Sequence, residues 1–175
     1  MTNSVVRARH DVFVYGSLLA DEVVRVLLNR VPSSTPATLH GYHRFKIIGR
    51  VYPAILPVEN KKVTGRVLHE ITGVELDILD EFEDVEYNRS DAEVVLMDTS
   101  EKLQVHTYVW SDRNDPNLYG EWDFEEWKQV HMNDFVKMTD AFMRESEQES
   151  ELQESKTRVQ TYESFYKQEN DKQSS

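Results

Sequence analysis

The chain of 175 residues has no cysteine, and proline and glycine are scarce, at five and six residues. The lack of cysteine excludes disulfides, thiol nucleophiles and thiolate metal ligands. No apolar run approaches the roughly 20 residues of a membrane-spanning helix, and the first residues show no apolar leader segment. We therefore expect a cytoplasmic protein that does not insert into a membrane.

Basic residues are also fewer than acidic ones. Lysine and arginine number 20 against 32 aspartates and glutamates, which gives a net charge of −12. Because nucleic-acid backbones and anionic lipid surfaces attract clustered positive charge, we expect neither nucleic acid nor a membrane as a partner. The G-x-S-x-G elbow, the P-loop and the dinucleotide-binding fingerprint are missing from the sequence, which removes the commonest nucleophile and nucleotide sites.

The first pattern that the chain does contain is a strand, a turn and a helix. Asp11–Tyr15 is rich in β-branched and aromatic residues, and Ala20–Asn29 carries apolar residues at helical spacing. Between them, Gly16 permits a close backbone approach or a positive φ. The amides expected to donate to an anionic or carbonyl group are those of Ser17, Leu18 and Leu19. The same turn is also typical of strand ends that bind nothing.

The middle of the chain alternates strand and helix signals at short intervals. Strand patterns cover Thr38–Ile47, Val63–Ile71, Ala92–Met97 and Leu103–Trp110; a loop is predicted at Pro32–Pro36, an irregular segment at Tyr52–Pro57, and a helix that begins near Thr72 as its N-cap. The hydrophobic fraction of 39% is sufficient for one core. This irregular order predicts an α+β fold with a small, barrel-like mixed sheet and flanking helices.

The short helix after residue 72 has a strongly acidic surface. From Glu75 to Glu93 there are nine acidic residues and one basic residue, a net charge of −8. Apolar side chains repeat along one face at Leu76, Leu79 and Phe82. Glu83 follows this face, so we expect it to point inward and its pKa to be raised, by desolvation first and by like charge second. Such a carboxyl group suits acid–base catalysis. The alternative is an acidic face that only keeps the protein soluble.

The last part of the chain is helical and then becomes polar. An apolar stripe from Phe124 to Phe142 predicts one helix that packs on the sheet. From Arg144 to Ser175 there are five basic and eight acidic residues, so this tail is helical or disordered and too polar to fold alone. A narrow seam along it, at Leu152, Val159, Tyr162 and Tyr166, either contacts the domain or a protein partner or is solvated. We expect a flexible N-terminus at residues 1–10, one domain at 11–143 and a charged tail at 144–175.

Four short motifs follow one another along the chain. They are Tyr15-Gly16-Ser17-Leu18, then Gly49-Arg50-Val51-Tyr52-Pro53-Ala54, then Leu79-Asp80-Glu81-Phe82-Glu83 followed by Tyr87 and Arg89, and finally His106-Thr107-Tyr108-Val109-Trp110. In this order they resemble the γ-glutamyl cyclotransferase-like family and, within it, the plant avirulence-induced (AIG2-like) members. The resemblance extends from about Val12 to Phe142. Asp84 departs from the family pattern, in which many members have glycine after the glutamate.

The resemblance implies a six-stranded barrel with flanking helices and a reaction that needs no cofactor. In the family, the α-amine of a small γ-glutamyl substrate attacks its own γ-carbonyl, which releases an amine and closes 5-oxoproline. Glu83 matches the acid–base group. The segment that holds the glutamyl part matches Tyr15, Gly16, Ser17, Leu18, Leu19 and Ala20, here called the first loop, and Tyr108 is a candidate for a phenolic hydrogen bond. Weaker candidates, which also suit packing or ion pairing at a barrel rim, are Tyr52, Tyr87 and Arg89.

Other functions stay open at this point. A hydrolase with paired carboxylates would need a second buried acid across the pocket, which the sequence does not identify. A protein of the same fold without catalysis would bind a small molecule or regulate a partner through its acidic surface or its tail. A metal site at His40 and His43 is not expected, because residues three apart on a strand point to opposite faces.

Overall fold

The structure, a computed structural model, describes residues 9–149. The expectations for residues 1–8, for residues 150–175 and for the seam along the tail lie outside the described residues. The elements in chain order are β1 (His10–Val14), α1 (Asp21–Leu28), β2 (Ser34–Ile47), β3 (Ala54–Ile71), α2 (Gly73–Glu83), β4 (Tyr87–Leu96), β5 (Lys102–Trp110), β6 (Leu118–Tyr119), α3 (Phe124–Val130) and α4 (Met132–Glu149).

The strands form a closed barrel. The order of neighbouring strands is β3-β1-β5-β4-β2, and β2 also pairs with β3, so these five strands complete a ring. The pairing of β1 with β5 is parallel, and the other pairings are antiparallel. The short β6 adds to β2 at Lys46 and Ile47 as an extra strand. The predicted α+β fold with a small mixed barrel is confirmed.

The two longest strands extend further than the sequence predicted. The predicted loop Pro32–Pro36 ends within β2, which starts at Ser34, and the irregular segment Tyr52–Pro57 leads into β3, which starts at Ala54. Two prolines lie within these paired strands, Pro36 in β2 and Pro57 in β3. Pro57 lies beside the register shift that follows His40, where a missing amide donor is tolerated. The pairing with a long partner strand therefore overrides the local turn signals.

Helix α2 begins and ends as the pattern predicted. Thr72 is the N-cap, and its hydroxyl accepts from the Glu75 amide while the Glu75 carboxylate accepts from the Thr72 amide, which is a complete capping box. The helix faces the core with Leu76, Leu79 and Phe82, which are buried. This places the C-terminal end of α2, with Glu83, against the barrel.

The expected single helix from Phe124 to Phe142 is two helices. Helix α3 ends at Val130, and α4 begins at Met132 after His131, whose φ of −118° departs from the helical value of about −63°. Trp127, Phe135 and Met138 are almost fully buried, so the apolar stripe faces the core, and α4 packs against α1. None of the helices in the described part of the chain is long and apolar enough to cross a membrane.

Candidate active site

A cavity opens where the first loop, the segment after β2 and the end of α2 meet. Its free space is about 350 Å³ when the open mouth is counted. The lining residues are Phe13, Val14, Tyr15, Gly16, Ser17, Leu18, Tyr52, Pro53, Glu83, Tyr87 and Tyr108. The cavity thus brings together residues that lie up to 95 positions apart in the chain.

The first loop is held close to Pro53. A Cβ atom added to Gly16 would lie 2.8 Å from the Cγ and Cδ atoms of Pro53, so only glycine fits there. The φ of Gly16 is −126°, so of the two alternatives that glycine permits, the structure has the close approach and not the positive φ. The close approach that glycine permits is to the Pro53 ring. This contact brings the first of the four motifs, which contains Gly16, against the second, which contains Pro53.

The backbone amides of the first loop differ in their availability. The Leu19 amide donates to Gly16 O at 2.9 Å and the Ala20 amide to Ser17 O at 3.1 Å, which corrects the expectation that the Leu19 amide is free for a ligand. Neither Leu19 nor Ala20 lines the cavity. Within the residues that the structure describes, the Ser17 and Leu18 amides have no hydrogen-bond partner. These two amides are the donors that remain for a ligand.

Two arginines that the sequence analysis did not single out contact the outer side of the first loop. Arg44 Nη1 donates to Tyr15 O at 2.8 Å and to Thr64 O at 3.0 Å. Arg66 Nη2 donates to Leu18 O at 2.8 Å, and its Nη1 donates to Asp21 Oδ1 at 2.7 Å. Burial lowers the pKa of the Arg44 guanidinium from its ordinary value, but an arginine remains charged at neutral pH.

Glu83 is the carboxylate that lines the cavity. It is half-buried at the last position of α2, while Glu81, two residues earlier, is exposed. The inward position that the spacing of α2 predicted is thus observed, and Glu83 faces the same space as Gly16, Ser17 and Leu18. The predicted rise in the pKa of Glu83 stays a prediction.

Tyr108 lies on the cavity wall with its hydroxyl already committed. It donates to Asp80 Oδ1 at 2.6 Å, and Asp80 Oδ2 accepts from Arg89 Nη1 at 2.9 Å. Burial, the hydrogen bond to Asp80 and the charge of Glu83 raise the pKa of the Tyr108 hydroxyl far above its ordinary value. Because its proton is directed to Asp80, the phenolic oxygen has only lone pairs to offer a ligand.

The remaining tyrosine candidates fix the walls. Tyr87 OH donates to Pro53 O at 2.6 Å, and Tyr52 OH donates to Glu86 Oε1 at 2.8 Å. Arg89 does not line the cavity and instead pairs with Asp80. The sequence did not predict Asp80 as a site residue, because it is one of several acidic residues in that segment. Only the fold distinguishes it, since β5 brings Tyr108 beside it.

The residue after Glu83 has an unusual backbone. Asp84 has a φ of +60° and a ψ of −155°, a conformation that is nearly restricted to glycine. This is the position at which many family members have glycine. The Asp84 carboxylate accepts from the Val85 amide at 2.8 Å, and a 3₁₀ turn at Asp84–Glu86 then leads into β4. The helix end that carries Glu83 is therefore held at a local energetic cost.

The histidine pair in β2 forms no cluster of ligands. His43 Nε2 lies 2.8 Å from Gly120 O, and Gly41, between the two histidines, has a φ of +83° at an irregularity of the strand. Across the described part of the chain there is no group of three histidine, aspartate or glutamate side chains suited to a metal ion.

Comparisons with known proteins find relatives both in sequence and in fold. A sequence model of the family described as "Gamma-glutamyl cyclotransferase, AIG2-like" matches residues 12–129. The protein named "AIG2-like protein C" of Arabidopsis thaliana is 57% identical over 162 residues, which cover 93% of this chain and 92% of that protein. A solution structure from the same plant has 43% identity and a TM-score of 0.63, and the match covers 86% of this chain and 89% of the other. A solved structure named "Gamma-glutamyl cyclotransferase" shares the fold at 18% identity and a TM-score of 0.53, covering 60% of this chain and 68% of the other.

Proposed function

The chain belongs to the gamma-glutamyl cyclotransferase, AIG2-like family, and from that premise we propose that it converts a γ-glutamyl amine or γ-glutamyl peptide to 5-oxoproline and a free amine. Glu83 is the general acid–base group, and the first loop with Tyr108 holds the glutamyl part. The reaction requires no cofactor, since the nucleophile and the leaving group belong to one molecule.

The observation that carries this proposal is the position of Glu83 opposite the first loop. Glu83 and the segment Tyr15–Leu18 line one cavity although they lie more than 60 positions apart in the chain. The cavity is open to solvent and offers a carboxylate on one side and free backbone amides on the other. A ligand with both an amine and a carboxylate or carbonyl group complements this arrangement.

The steps follow from that complementarity. The Ser17 and Leu18 amides bind the α-carboxylate or the oxyanion that develops on the γ-carbonyl. The α-amine attacks the γ-carbonyl carbon, the new C–N bond closes the five-membered ring, and the bond from this carbon to the leaving nitrogen breaks. Glu83 accepts the proton that the attacking nitrogen loses and donates it to the leaving nitrogen. The Tyr108 oxygen accepts a hydrogen bond from the α-amine and orients it.

The test is a 5-oxoproline release assay on a panel of γ-glutamyl amines and peptides. Glu83→Gln keeps the shape of the side chain but removes the group that accepts the proton, so we expect turnover to fall about 10²- to 10⁴-fold. Glu81→Gln is the matched control, because it removes the same charge from the exposed face of the same helix. Its turnover should equal that of the unaltered protein.

Two outcomes would contradict the proposal. Equal product formation by the Glu83→Gln variant would remove Glu83 from the mechanism. No turnover by the unaltered protein on the whole panel would favour a catalytically silent protein of the same fold that binds a small molecule.

A further inference from the structure

The first loop presents its amides to the cavity only if its peptide groups keep one orientation. The Ser17 and Leu18 amides belong to the peptide groups Gly16–Ser17 and Ser17–Leu18, whose carbonyls accept from the Leu19 and Ala20 amides. The peptide groups on either side of this pair are Tyr15–Gly16 and Leu18–Leu19. In a planar trans peptide the carbonyl and the amide point in opposite directions, so fixing a carbonyl fixes the whole plane. The described backbone contains no cis peptide bond.

Both flanking peptide groups are held by charged donors. Arg44 binds Tyr15 O at 2.8 Å, and Arg66 binds Leu18 O at 2.8 Å. Hydrogen bonds from a charged donor are about twice as strong as those between neutral groups. The two carbonyls on either side of the free amides are therefore the points at which charged side chains of the barrel hold the loop.

The two arginines are in turn fixed by the barrel. Arg44 lies on β2 and its Nη1 also donates to Thr64 O of β3, while its guanidinium carbon lies 5.5 Å from the centre of the Trp122 ring. Arg66 lies on β3, and only 15% of its side chain is exposed because Asp21 pairs with it at 2.7 Å. The positive charges thus belong to the rigid sheet and not to the loop.

We propose that Arg44 and Arg66 are positioning residues that clamp the first loop from outside the cavity and so hold the Ser17 and Leu18 amides in the orientation that binds the substrate carboxylate. This inference rests on the proposed function and assigns the determinants of its carboxylate subsite. The arginines also place two positive charges beside an anionic group in a protein whose net charge is −12. They act through the loop and touch no substrate.

The test separates binding from turnover. In the Arg66→Gln variant the carboxylate subsite loosens in the ground state and the transition state alike, so we expect KM to rise about tenfold with kcat nearly unchanged. Arg66→Lys should raise KM as well, because the ammonium group lacks the fixed planar pair of nitrogens with which the guanidinium reaches Asp21 Oδ1 and Leu18 O. A merely structural role would lower the folded fraction and hence kcat, but would leave KM unchanged.

Arg25→Gln is the matched control. Arg25 is exposed on α1, so this variant removes the same charge without touching the loop, and its KM should stay that of the unaltered protein. Arg44→Gln should repeat the KM rise, and thermal melting of each variant reports whether it folds. An equal KM rise in Arg25→Gln, full recovery of KM in Arg66→Lys, or an unchanged KM in folded Arg66→Gln and Arg44→Gln would overturn the clamp.

Failure of the proposed function gives a different result. If the unaltered protein shows no turnover, the same variants are compared by calorimetric titration with 5-oxoproline. Weaker binding by Arg66→Gln than by Arg25→Gln then supports the clamp without catalysis. No binding by the unaltered protein, or equal binding by both variants, overturns it.

Discussion

The two walls of the cavity are built in opposite ways. The first loop is packed against Pro53 and anchored at two carbonyls by arginines of the barrel. The opposite wall is the last turn of α2, where Glu83 is followed by Asp84 in a glycine-like conformation and by the exposed Val85. The difference indicates that the wall with the free amides is fixed by its neighbours, whereas the wall with Glu83 is a helix end held against its local preference.

The largest effect is expected at the packed wall. Gly16→Ala places a methyl group against the Pro53 ring, so either the loop or the proline must move, and we expect a loss of about 3 kcal/mol in the free energy of unfolding. Urea unfolding measures this loss of stability. Gly73→Ala is the control, because a Cβ atom at this first position of α2 would meet no other atom within 4 Å. This variant should raise the free energy of unfolding by about 0.4–1 kcal/mol. Equal stability of the two variants would mean that the loop wall is not tightly packed.

A smaller effect of opposite sign is expected at the helix end. Asp84→Gly relieves the unfavourable backbone conformation and costs some entropy in the unfolded chain, so the net gain in stability should be about 1 kcal/mol. Asp84→Ala removes the same carboxylate but keeps a Cβ atom, and it should give no gain. A gain in the alanine variant, measured by the same unfolding assay, would assign the cost to the charge of Asp84 and not to its backbone.

The smallest effect concerns the start of the same helix. Arg30 donates to both oxygens of Glu75 at 2.7 Å, and this hydrogen bonding lowers the pKa of the Glu75 carboxyl against the effect of burial. A carboxyl group whose pKa is lowered by folding stabilises the protein above its unfolded-state pKa, and this contribution is lost as the pH falls through the lowered value. We expect Glu75→Gln to destabilise by about 0.5–1 kcal/mol at neutral pH, because the amide side chain keeps an oxygen for the Thr72 amide but loses the charge that pairs with Arg30.

The pH dependence checks that assignment. The stability difference between the unaltered protein and Glu75→Gln should shrink as the pH falls from about 7 to about 3, because the carboxyl group becomes protonated in both states. Glu22→Gln, on the exposed start of α1, should show no such trend. A difference that stays constant with pH would assign the effect to packing and not to ionisation.

The sequence alone was sufficient for the local parts of this site. The apolar run before Gly16, the threonine cap of α2 and the spacing from Leu76 to Phe82 predicted both walls and the inward position of Glu83. These features depend on residues within about one or two turns of each other, and local periodicity reports them well.

The sequence was not sufficient for the parts that depend on barrel closure. Arg44 lies 29 positions from the carbonyl of Tyr15, and Arg66 lies 48 positions from the carbonyl of Leu18. On an isolated strand neither arginine differs from a surface residue. The extended lengths of β2 and β3 were missed for the same reason, since strand pairing decides them in spite of prolines.

The parallel pairing of β1 with β5 has a consequence for the order of folding. The Tyr15 hydroxyl donates to Tyr108 O at 2.6 Å, and these residues are 93 positions apart. A growing chain therefore carries the first loop long before it can build the cavity, which is complete only after β5 has left the ribosome. Contacts between distant segments form slowly because the intervening chain must be ordered first. The cavity is thus among the last features that this domain acquires during its synthesis.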